Sequence, residues 1–68
     1  MGMDTTTITA LDRAFDHLLE AGAELRETER LAHGAGDKRL ASEAEVLASA
    51  AEAEADAVHA VIRRALVS

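Results

Sequence analysis

Glu29, His33, Glu43 and Glu54 are the residues with which this chain could do chemistry. The three acids fall on or beside positions where a helical pattern calls for apolar side chains, and His33 follows Glu29 by one turn. An unpaired carboxylate in an apolar setting costs several kcal/mol, so each acid needs a cation, a proton or a route to water. Inward glutamates and histidines on facing helices are also how helical bundles hold metal ions. The usual Glu-x-x-His interval is missing from the inner faces. Glu29 and His33 lie four apart, and Asp56-x-x-His59 has the right interval but is placed outward. Glu29, His33, Glu54 and His17 are therefore the metal candidates, weighed against a purely structural role.

The structural role is the stronger expectation. Glu29, His33 and Glu43 fall near a loop, where a bundle end opens to water, and Arg26, Arg30, Lys38 and Arg39 are close enough to pair with them. Glu54 is mid-helix, between Ala51 and Val58, where a contact with His17 would satisfy it. A polar residue in that place fixes register and oligomer state at some cost in stability. No cofactor is expected. Nor is catalysis: there is no cysteine or tyrosine, Ser42, Ser49 and Ser68 form no triad, and Gly34-Ala35-Gly36 is too short for a phosphate-binding loop.

The elements that must position these residues come from the periodicity. From about residue 5 to 33, Ile8, Leu11, Phe15, Leu18, Gly22 and Leu25 recur in steps of three and four, with Ala14 and Leu19 widening the stripe. Asp4, Thr5 and Thr7 are all credible N-caps for this helix, and residues 1–4 form its lead-in. Gly22, on the stripe, suggests close approach of a neighbouring helix. A second helix follows over about 38–66, with Leu40, Ala44, Leu47, Ala51, Val58, Ile62 and Ala65 inward and Val61 beside them. Ser42-Glu43-Ala44-Glu45 fits a capping box that would shift its start by a turn.

Between the helices, Gly34 fits the left-handed residue that ends the first and Asp37 the N-cap of the second. A connection over 34–37 is so short that the helices must lie antiparallel. Residues whose numbers sum to about 70 should then face one another: Phe15 near Ala55, Leu18 near Ala51, Leu25 against Leu47. The fold class is all-α, a single helical-hairpin domain. His17 and His59 are expected at the flanks or outside.

A 68-residue chain with one aromatic residue and alanine as its main apolar residue has little core of its own. Two hairpins packed face to face would bury the edges that one leaves wet. A homodimeric four-helix bundle is therefore expected, with Leu11, Phe15, Leu18, Leu19, Leu25, Leu47, Val58 and Ile62 at the oligomer interface. A net charge of −6, with basic residues only in the short pairs Lys38-Arg39 and Arg63-Arg64 and scattered arginines, argues against a nucleic-acid-binding face, so nucleic acid is not an expected partner. No apolar run approaches the length needed to cross a bilayer. Lack of cysteine and of a signal-like N-terminus points to the cytoplasm. The expected function is a small, acidic, non-enzymatic interaction module. The alternatives are a metal-binding bundle and an acidic inhibitor of a basic nucleic-acid-binding protein.

Overall fold

Asp4 opens the first helix by accepting the Thr7 amide on its Oδ1 at 2.8 Å, while its carbonyl accepts from Ile8 at 3.1 Å. Of the three candidate caps this is the one used. It satisfies an amide that the first turn would otherwise leave without a partner. In the computed structural model, which describes residues 4–67, the helices are α1 (Thr5–Gly34) and α2 (Lys38–Val67), each 30 residues long. Most of the expected lead-in lies outside the described residues.

The turn between them is tighter than expected, and its left-handed residue is Gly36 (φ 77°), not Gly34. Gly34 stays helical because the next amide, Ala35, still reaches the Leu31 carbonyl at 3.0 Å. The reversal follows at once: Gly36 donates to His33 (3.1 Å) and Asp37 to Ala32 (2.9 Å). These two bonds close a Schellman cap with glycine in the position that side chains avoid. Asp37 then caps α2 with its Oδ1 on the Leu40 amide (3.0 Å) and its carbonyl on Ala41 (3.0 Å). One residue thus terminates α1 and starts α2, and the alternative start at Ser42 is not used.

The helices lie side by side in a rod of 52 × 15 × 11 Å. On α1 the seam is the expected one: Ile8, Leu11, Phe15, Leu18 and Leu25 are half-buried and Gly22 is buried, with Ala32 added near the turn. On α2 the expectation was rotated. Ala44 and Ile62 are buried as expected and Ala51, Val58 and Ala65 are half-buried, but Ala41, Ala48 and Ala55 are buried as well, whereas Leu40 and Leu47 stand out to solvent, Leu47 at 55 % exposure. The reason is steric. Alanines at the centre let the axes close up, and leucines there would hold them apart. The expected Leu25–Leu47 contact gives way to Ala48, which is completely buried.

The register also differs by about one turn. Phe15 stacks on His59 (centroids 5.2 Å apart, 27° between planes) rather than facing Ala55, and Gly22 lies beside Ala51 and Glu52. Facing positions sum to about 74. Side chains lean toward the N-terminus of their own helix, so those of α1 lean away from the turn and those of α2 toward it. Each residue of α1 therefore meets one farther along α2 than a count from the turn suggests.

Gly22 does not mark a forbidden approach. A Cβ built there would sit 3.5 Å from the Glu52 Cγ and 3.9 Å from the Ala51 Cβ, ordinary contact distances. Gly22→Ala is therefore expected to stabilise the hairpin by about 0.5–1 kcal/mol, the helix-propensity difference. A raised urea midpoint at unchanged slope is the outcome that fits.

Candidate functional site

Arg26 organises the most elaborate polar cluster among the described residues. Its guanidinium donates to both carboxylate oxygens of Glu52 across the seam, Nη2 to Oε1 at 2.7 Å and Nε to Oε2 at 3.2 Å. Nη1 reaches Glu29 on its own helix at 3.1 Å, and Nη2 reaches the Ser49 hydroxyl at 3.4 Å. Ser49 in turn donates to Glu45 at 3.3 Å. The planar fork of arginine suits this two-oxygen grip, which a lysine would not reproduce. Glu52 ties the two helices together. A register one turn short hid that pairing.

The metal candidates do not converge. Glu29 is half-buried with its charge met by Arg26, and His33 Nε2 stands 3.9 Å away from its other oxygen. Glu54, expected near the centre of the α2 stripe, is exposed, because the stripe is rotated toward the alanines. His17 is exposed too, and the observed register puts it opposite Ala57 rather than Glu54. Among the described residues no three His, Asp or Glu side chains are grouped to hold a metal ion. Glu43 is exposed and pairs with Arg39 at 3.1 Å, and Glu27 pairs with Arg30. His59 is exposed as expected, yet its ring lies on Phe15.

These pairings favour the ionised carboxylates. The Arg26 hydrogen bonds hold the Glu52 carboxyl below the usual glutamate range, and Arg30 does the same for Glu27. The Thr7 amide lowers Asp4 likewise. A carboxyl lowered in the folded state adds stability above its unfolded value. That contribution disappears as pH falls through the folded value. Thermal melts from pH 7 to pH 3 should therefore show a steeper acid loss for the wild type than for Glu52→Gln. Equal slopes would mean that Arg26 does not hold Glu52 in solution.

The expected interface residues divide. Ile62 is buried between α1 and α2, and Leu11, Phe15, Leu18, Leu25 and Val58 are half-buried at the same seam. Leu19 and Leu47 remain well exposed, together with Leu31, Leu40, Val46 and Leu66. An open apolar depression lies among Ser42, Glu43, Val46 and Leu47. At 3.6 residues per turn, the two edges of the seam have opposite character. Arg26, Ser49 and Glu52 mark the polar edge. The other edge carries Leu40, Leu47, Glu54 and Val61 at exact seven-residue intervals on α2. Beside them, on α1, run Ala14, Ala21 and Thr28, all half-buried.

No protein-family model matches the chain, and neither a curated protein nor a solved structure is detectably similar to it. No helix among the described residues is long and apolar enough to cross a membrane.

Proposed function

We propose that this protein is a small, acidic, non-enzymatic interaction module that works as a homodimer, two hairpins packing into a four-helix bundle. One observation carries the reading: the hairpin exposes 4994 Å². A compact monomer of 7.2 kDa would expose about 4,100 Å². The excess is close to the roughly 800 Å² that each partner contributes to a standard interface. Much of what is exposed is apolar, seven leucine and valine side chains, whereas the buried apolar side chains among the described residues are five alanines and one isoleucine. That distribution leaves the folded chain with more to gain from a partner than from itself.

The test is sedimentation equilibrium at neutral pH, with native mass spectrometry to read subunit count and any bound ion. The expected species has twice the 7.2 kDa chain mass and no added metal. A monomer at every concentration up to about 100 μM, where even weak specific dimers form, would overturn the reading.

A further inference from the structure

Resting on the homodimer reading above, we infer that the second copy docks on the apolar edge of the seam, and that Glu54 weakens the contact it sits in. Three observations select this edge and this occupant. The first is charge. The polar edge carries Arg26, Glu52 and Glu45 in hydrogen bonds that a partner would have to break or desolvate. Along Leu40, Leu47, Glu54 and Val61 there is one charge per chain. Two copies that each carry a net charge of −6 meet with least repulsion there.

The second is shape. With facing positions summing to 74–75, Val61 lies across from Ala14, Glu54 from Ala21 and Leu47 from Thr28. The edge is therefore a ridge of large side chains on α2 beside a trough of small ones on α1. The Thr28 hydroxyl is already spent on the Glu24 carbonyl at 2.9 Å, so this residue adds little polarity to the trough. Ridge and trough share a seven-residue repeat of about 10.5 Å. A two-fold rotation lays the ridge of one copy in the trough of the other, which is the self-complementarity that a closed dimer requires. A partner unrelated in sequence would have no reason to match both. The third is area: the surface in excess of a compact monomer is what one such face would cover.

In this arrangement Glu54 sits mid-ridge, where the dimer surrounds it with Ala21 and the alanines of the partner's trough. Its carboxylate loses water and gains no cation. It limits how tightly the copies hold.

The experiment is sedimentation velocity over a concentration series for the wild type, Leu47→Lys, Leu19→Lys and Glu54→Leu. Far-UV circular dichroism on each confirms the helix content. Leu19 is the control, an exposed leucine one heptad before Arg26 on the polar edge. Leu47→Lys should weaken the dimer by about a hundredfold or abolish it, the consequence of an unpaired charge in the contact. Leu19→Lys should leave the dissociation constant within about threefold. Glu54→Leu should tighten it by about tenfold or more and raise the melting temperature. If Leu47→Lys loses helix content, Glu54→Leu decides alone, since a gain in affinity does not come from misfolding. A wild-type dimer that tolerates Leu47→Lys, or that Leu19→Lys dissociates, overturns the choice of edge and leaves the homodimer standing. A wild-type monomer overturns both.

Discussion

Ile62→Ala should cost the hairpin about 3 kcal/mol, most of the stability a domain of this size commands. Ile62 is the one large side chain among the buried residues described, 5 % exposed, where the other buried side chains are all alanine. An alanine buries so little that no neighbour can make up the loss. Ile62 also lies four residues before the two exposed apolar residues that end α2, Leu66 and Val67. Its removal leaves the last turns of α2 and the first of α1 with only half-buried contacts. Urea titration followed by circular dichroism should show the midpoint drop. A loss under about 1 kcal/mol would mean that the isoleucine is not packed as placed.

Ala48→Leu should destabilise by about 2–3 kcal/mol, although leucine is apolar and nearly as good a helix former. Ala48 is wholly enclosed, one heptad from each of the buried Ala41 and Ala55. Three more carbons there must either leave their rotamer or push the helices apart. Separation would break the Arg26 grip on Glu52, which spans the seam at 2.7 and 3.2 Å. The companion substitution Leu47→Ala, one residue away, should cost the isolated hairpin little because Leu47 is already wet. In hairpins kept monomeric by dilution, a residue 47 more sensitive than residue 48 would mean a second helix rotated so that Leu47 faces the seam.

How far these features could be read from the chain alone depends on which force decides each one. The two helices, the place of the turn and the Asp37 cap follow from local chemistry, since Asp37 acts on an amide three residues away, although Gly36 and not Gly34 takes the left-handed conformation and Asp4 was one of three candidate caps. The face of α1 was legible because its large apolar residues and its buried face coincide. On α2 they do not coincide. Leu40 and Leu47 were expected inward with Ala44, yet Ala41 and Ala48 join Ala44 in the seam in their place, because the distance between two helices is a property of the pair. The same holds for register. The lean of side chains along their axes moved Phe15 from Ala55 to His59 and brought Arg26 within reach of Glu52. The charge of Glu29, a metal candidate by its position, is met by that arginine. Glu54 lost its buried setting within the hairpin when α2 turned.

The double use of Asp37 shapes how the chain comes together. Contacts nearest the turn join residues only a few positions apart, and each step away from it adds two residues to the loop that must close. A cap that ends one helix and begins the next makes the first of those closures nearly free of further ordering. Assembly should start there and zip toward Asp4 and Val67, a sequence of events that favours fast folding. Asp37→Ala should accordingly slow folding and leave the unfolding rate almost untouched, whereas Ile62→Ala should leave folding nearly as fast and accelerate unfolding. Stopped-flow traces of the two variants separate these limbs. The open end of the rod is the last part to form and the first to come apart.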